Sequence, residues 1–138
     1  VNAPLLAAVI GIAFPAGALA QDTLPRPAGI APGDMAEGAQ LVADRQKSLC
    51  VLCHSGPFPN PHLQGNLAPD LKGIGARLTQ DEIRLRVTDM KRLNPESLMP
   101  AYVASKGSER VGAAWRGRPI LAEQEIEHIV AYLTSLKE

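Results

Sequence analysis

The sequence predicts an all-α fold. Apolar residues recur at helical spacing in several stretches, and no segment alternates apolar with polar side chains as a half-buried strand does. Helix punctuation agrees: Asp34 with Glu37 and Thr79 with Glu82 stand where helices would start, and Asn94-Pro95 stands where one would stop. No internal repeat is present.

Residues 1–20, VNAPLLAAVIGIAFPAGALA, carry no charge and end in Ala18-Leu19-Ala20. That is the apolar core and small-residue cleavage site of a secretory signal peptide. Pro15 and Gly17 interrupt the stretch and no positive charge flanks it, so a membrane anchor is the weaker alternative. Cleavage would leave 138 − 20 = 118 residues, beginning near Gln21, with no membrane anchor. Residues 21–33 read as a Pro-rich leader, and the domain proper as 34–138.

Within the domain, Asp34 is expected to cap a first helix while Glu37 reaches back to it. Leu41, Val42, Arg45 and Leu49 continue that helix towards Cys50, and Gly38 permits a close helix crossing. Residues 55–77, SGPFPNPHLQGNLAPDLKGIGAR, are too rich in Pro and Gly for regular structure, yet long enough to wrap a cofactor edge. Thr79 and Glu82 then open a short helix with Ile83, Val87 and Met90 on one apolar stripe. The last helix, near Glu123 to Leu136, shows Ile126, Ile129, Val130 and Leu133 at helical spacing.

Fourteen basic and fourteen acidic residues cancel and are spread through the chain, which suits one compact soluble domain and leaves no nucleic-acid footprint. The chain has five aromatic residues, one Trp, two Tyr and two Phe. A buried porphyrin would supply apolar volume that such a core lacks.

Both cysteines lie in Cys50-Val51-Leu52-Cys53-His54. Three chemistries use such a cluster: a covalent c-type haem, a dithiol redox couple and half of a zinc site. A redox couple of the thioredoxin kind needs a strand feeding the motif, whereas the flanks read as helix and loop. A structural zinc needs about four ligands, and outside the motif only His62 and His128 remain. Haem is favoured, because C-x-x-C-H supplies two thioether bonds and a proximal imidazole, here His54, within one helical turn.

The stretches DRQKSLCVLCHSGPF, GNLAPDLKGIGARL, RLNPESLMPAY and RGRPILAEQEIEHIVAYL resemble the SoxX family, the small monohaem subunit of the SoxAX complex, which has a class I cytochrome c fold wrapped around one covalent haem. They cover most of the chain from about Asp44 to Leu136. The Leu-Asn-Pro to Met-Pro-Ala-Tyr segment and the Arg-Gly-x-Pro-Ile-Leu lead are the specific part.

A second axial ligand is then needed, and three methionines are available. Met35 precedes the haem helix, and Met90 reads as core packing. Met99 lies in a loop forty-five residues beyond His54, and Pro100 biases it towards an extended conformation. The resemblance also places the methionine ligand there; His62, His128 or a lysine are the alternatives. His/Met ligation would raise the reduction potential and leave no open site for substrate. By the same resemblance, Pro69 lends its carbonyl to the His54 ring, Leu71 packs on the porphyrin, and Arg77 reaches a haem propionate, a role that competes with an ordinary solvated arginine.

Residues at about 101–121 form an insertion that a minimal cytochrome would not need. It holds Lys106, Arg110, Arg116 and Arg118 against Glu109, with the only Trp, Trp115. It is either a docking face or a solvated loop in which Trp115 seals the haem crevice. Tyr102 is either partner-facing or a cover for the axial methionine. The family pattern has Thr or Ser at the position of Ala122, so the last helix should rely on Glu123 and Glu125 at its start.

Haem attachment would use both thiols, so this chain could not itself carry sulfur. The resemblance implies a periplasmic subunit with haem c, working beside a SoxA-like haem subunit that holds the reactive cysteine. That partner couples thiosulfate to a cysteine of a SoxYZ-like carrier, and this chain would pass the released electrons to a soluble cytochrome c. A free-standing monohaem electron shuttle is the alternative.

Overall fold

The computed structural model describes residues 22–103, 112–113 and 116–138; the expected signal peptide, Lys106, Glu109, Arg110 and Trp115 lie outside the described residues. Five α-helices are described: α1 (Met35–Ala43), α2 (Cys50–Cys53), α3 (Ile74–Arg77), α4 (Gln80–Asp89) and α5 (Glu123–Ser135), with 3₁₀ turns at Pro61–Leu63 and Met90–Arg92. Among the described residues there is no strand, as the all-α reading expects. None of these helices is long and apolar enough to cross a membrane.

Helix α5 is the spine, against which α1, α4 and α3 all pack. Its buried face is the expected one: Ile126, Ile129, Val130 and Leu133 are each no more than 5% exposed. They join Val42, Val51, Phe58, Ile83, Val87, Tyr102 and Leu121 in one core. The α1–α5 crossing is close because Gly38 has no side chain: a Cβ there would overlap the carbonyl oxygen of His128. Phe58 from the long loop meets Tyr132 of α5 with ring centroids 6.3 Å apart, a distance at which tilted aromatic pairs attract.

The first helix stops earlier than its apolar spacing predicts. It ends at Ala43, and residues 45–48 form a turn before α2. Local polar chemistry is the reason. The Asp44 carboxylate accepts from the N–H groups of Gln46 and Lys47, while the Ser48 hydroxyl donates to the carbonyls of Leu41 and Asp44, offering the backbone an alternative to helix. Leu49 then adopts φ 63°, a left-handed conformation rare for a branched side chain, and the chain re-enters helix at Cys50.

The caps divide similarly. Thr79 and Glu82 form the full reciprocal box. Asp34 accepts from Ala36 and Glu37 as expected, but its own N–H donates to Nδ1 of His128 at 2.8 Å, where Glu37 was expected. Ala122 offers no side-chain acceptor; Glu125 instead accepts its N–H at 2.9 Å and pairs with Lys47.

The loop of residues 55–77 is more regular than its Pro and Gly content predicts, since it holds the Pro61–Leu63 turn and α3. Its order comes from long-range bonds: Gly65 N–H donates to Val51 O at 2.9 Å and Gly75 N–H to Leu136 O at 2.8 Å. The Pro-rich leader is also docked. Leu24 N–H donates to Asp81 O, and the Leu24 carbonyl accepts from Arg84.

Candidate cofactor site

Helix α2 is a single turn, Cys50–Cys53, closed by the N–H of His54 donating to the Cys50 carbonyl at 2.9 Å. One turn brings side chains three and four positions apart to the same side. The thiols of Cys50 and Cys53 and the imidazole of His54 therefore emerge together from a rigid element. Both thiols are free. Burial pushes the Cys50 thiol up.

Nδ1 of His54 lies 2.7 Å from the carbonyl oxygen of Pro69. A carbonyl only accepts, so Nδ1 carries the hydrogen and Nε2 keeps the lone pair a metal would use. The chain on each side is tied down. Ala68 N–H donates to Cys53 O at 2.9 Å, and Leu71 N–H to Ser55 O at 2.8 Å.

Leu71, Met99 and Cys50 are each half-buried against the same core cluster. Met99 sits at a bend in the loop after the Met90–Arg92 turn, its N–H donating to the Ser97 hydroxyl at 3.2 Å. Arg77 Nη1 donates to Lys72 O at 2.6 Å and Nη2 to Asp70 O at 3.2 Å. Met90 is half-buried, while its stripe partners Ile83 and Val87 are fully buried. His128 is engaged at the α1–α5 crossing, and His62 is exposed on the Pro61–Leu63 turn.

Tyr102 is 3% exposed, which removes it from any partner-facing role. Its carbonyl accepts from the N–H groups of Ile120 and Leu121, at 2.9 and 3.2 Å. These bonds close the base of the expected insertion. Arg116 and Arg118 within it are exposed.

These residues fit a covalently attached haem. Two free thiols share a helical turn, an imidazole presents Nε2, and Leu71 and Met99 pack against the same core cluster as Cys50. Exposed apolar side chains flank them, Leu52 at 41%, Leu67 at 69% and Leu98 at 82%, and a porphyrin edge could cover such surface.

The sequence pattern of the cytochrome c family matches residues 35–137. A solved structure, SoxXA from P. pantotrophus, is 34% identical with a TM-score of 0.71, covering 78% of this chain and 85% of that chain. The chain belongs to the cytochrome c family and is SoxX-like. Another structure, the c-type cytochrome SorU from Sinorhizobium meliloti, is 21% identical with a TM-score of 0.47, over 75% of this chain and 90% of that chain. Curated protein sequences gave no match.

For this SoxX-like cytochrome, family membership implies haem c joined covalently through Cys50 and Cys53, and a role in electron transfer. Sequence reasoning missed Ser55 and Asp70, which join the two chain segments around His54: the Ser55 hydroxyl donates to Asp70 Oδ2 at 2.6 Å. A signal was present, since each immediately follows a residue singled out for the site.

Proposed function

We propose that this chain is the electron-transfer subunit of a periplasmic sulfur-oxidising complex of the SoxAX kind, an L-cysteine S-thiosulfotransferase. The observation that carries the reading is the CxxCH turn, with Nε2 of His54 left free by the Pro69 bond and Met99 half-buried on the same core. The SoxXA likeness supports a SoxA-like partner.

Bound haem supplies a one-electron couple. Cys50 and Cys53 would anchor it, and His54 and Met99 would ligate its iron. Leu71 would pack on the ring. Pro69 keeps the His54 hydrogen on Nδ1. A thioether is a weak donor that favours ferrous iron, so Met99 suits the site to accepting electrons. With His54 and Met99 both as ligands, the iron would offer no position for thiosulfate.

Joining a carrier thiolate to thiosulfate forms one S–S bond and releases two electrons. That bond needs a reactive thiol, and thioether attachment leaves none in this chain. The reactive cysteine would lie on the SoxA-like subunit and the accepting one on a SoxYZ-like carrier. This subunit would hand the electrons singly to a soluble cytochrome c.

Stopped-flow reduction of the haem, with thiosulfate and carrier, tests the reading with and without the larger subunit. Reduction only when that subunit is present is expected. Thiosulfate conjugation by this chain alone would defeat it. Failure to reduce with the partner present, together with monomeric elution of the native protein, would assign the chain to a free-standing shuttle.

A further inference from the structure

Segments 53–55 and 68–71 run side by side around the His54 ring, held by four bonds. Two are backbone bonds, Ala68 N–H to Cys53 O and Leu71 N–H to Ser55 O. The third is the His54–Pro69 bond, and the fourth joins the next residue of each segment, Ser55 Oγ to Asp70 Oδ2 at 2.6 Å. The Pro69 carbonyl belongs to the peptide plane that ends at the Asp70 Cα. Whatever holds Asp70 therefore aims that carbonyl.

Asp70 is held at every oxygen. Oδ1 accepts from the Lys72 N–H at 2.6 Å, and the main-chain oxygen accepts from Arg77 Nη2 at 3.2 Å. Arg77 Nη1 also donates to the Lys72 carbonyl, so it ties two carbonyls of the same turn. A charge-assisted O–H···O⁻ bond of this length is among the stronger hydrogen bonds available to side chains.

We infer that Ser55 and Asp70, braced by Arg77, are positioning residues that fix the His54 imidazole by aiming the Pro69 carbonyl at Nδ1. The inference rests on the reading of His54 as an iron ligand. An N–H···O=C bond raises the basicity of a ligating imidazole and fixes its plane. A more basic ligand stabilises ferric iron, so loosening the pair weakens that effect and raises the potential. A pair that merely stabilised a turn would alter melting and leave the potential where it was.

The test uses the matured holoprotein and the variants Ser55→Ala, Asp70→Ala, Asp70→Asn and the double Ser55→Ala/Asp70→Ala. The readouts are midpoint potential and, by paramagnetic proton NMR of the ferric form, the haem methyl shift pattern and exchange of the His54 Nδ1 hydrogen. Ser55→Ala and Asp70→Ala should raise the potential to similar extents, change the methyl pattern and speed exchange about ten-fold, the scale of one lost hydrogen bond. The double variant should add little. Asp70→Asn keeps an acceptor while losing the charge, and should lie nearer wild type.

An unchanged potential and exchange rate in Ser55→Ala would overturn the inference. So would Asp70→Asn shifting as far as Asp70→Ala while Ser55→Ala stays silent, because charge alone would then account for the effect. A wild-type spectrum without low-spin histidine ligation would overturn both this inference and the ligand reading beneath it. Normal ligation with silent variants would overturn this inference alone.

Discussion

Tyr102 donates its phenolic hydrogen to the main-chain oxygen of Ser48. The bond is buried and joins the loop that carries Met99 to the segment that enters Cys50. Tyr102 N–H also donates to Thr88 O at 2.9 Å, so one residue ties the end of α4 and the base of the insertion to the attachment turn. Burial, the largest cause, pushes its phenol above the usual range and keeps it protonated. Tyr102→Phe keeps the ring but leaves the Ser48 carbonyl without this donor, and should cost about 1–2 kcal/mol in urea unfolding. The methionine-to-iron charge-transfer band should weaken as well. An undiminished band would mean that backbone bonds alone hold the Met99 loop.

With Met99 as the proposed second ligand, Met99→Ala should abolish that band and lower the potential, because the thioether that favours ferrous iron would be gone. Met90→Leu is the contrasting change. It is volume-conserving at a half-buried site, and should preserve the spectrum and cost less than about 1.5 kcal/mol. Absorbance spectra of the two ferric proteins decide the assignment.

Gly38→Ala places a methyl against the His128 carbonyl, which is backbone and cannot swing aside. Parting α1 from α5 should cost about 1–3 kcal/mol. In Gly112→Ala the methyl meets nothing within 4 Å among the described residues, and the variant should stay within about 0.5 kcal/mol of wild type. Thermal denaturation of the two variants side by side measures the difference.

Arg84 and Glu127 form a two-pronged ion pair between α4 and α5, Nε to Oε1 at 2.6 Å and Nη2 to Oε2 at 3.0 Å, with both residues no more than 3% exposed. Glu127→Ala takes the acceptors from Arg84 Nε and Nη2 while Asp81 still pairs with Nη1, and should destabilise the protein by about 2–3 kcal/mol. Replacing both residues with apolar ones of similar volume should recover most of that loss. Arg84 Nη1 also holds the Leu24 carbonyl at 2.8 Å, so the double variant should be cut faster within residues 22–33 by a protease at low dose.

Acid sensitivity follows from the caps. Asp34 is held below the usual carboxylate range by the N–H groups of Glu37 and Ala36, and Asp44 by those of Gln46 and Lys47. Folded-state values lower than unfolded ones stabilise the protein fully above the unfolded value, and that stability is lost as pH falls through the folded one. The urea midpoint of the holoprotein should therefore fall between about pH 5 and pH 2. Asp34→Asn/Asp44→Asn keeps the capping oxygens without their titration, and should flatten the slope over that window.

The Thr79–Glu82 box and the α5 stripe were legible because each needs only partners within one or two turns of the same chain. Asp34 with Glu37 has the same spacing, yet His128, ninety-four positions away, takes the Asp34 N–H. The stop at Ala43 was locally written in Asp44 and Ser48, whose side chains compete for backbone groups; apolar spacing, which continues through Leu49, concealed it. The docking of the leader was not legible, because Arg84 could have reached a Glu or Asp on any helix.

By itself the sequence determined the helical class, because apolar periodicity and caps act within one element, and it determined the cofactor chemistry, because CVLCH places two thiols and an imidazole on one turn however the rest folds. Tertiary structure alone decided what surrounds that turn: Tyr102 on Ser48, Ser55 on Asp70, Arg77 on the Asp70 and Lys72 carbonyls, and Arg84 on Glu127. Each of these donors has several acceptors of the right type in the chain. Which one it meets depends on which loops close and which faces pack, and only burial, by making an unpaired polar group costly, selects among them.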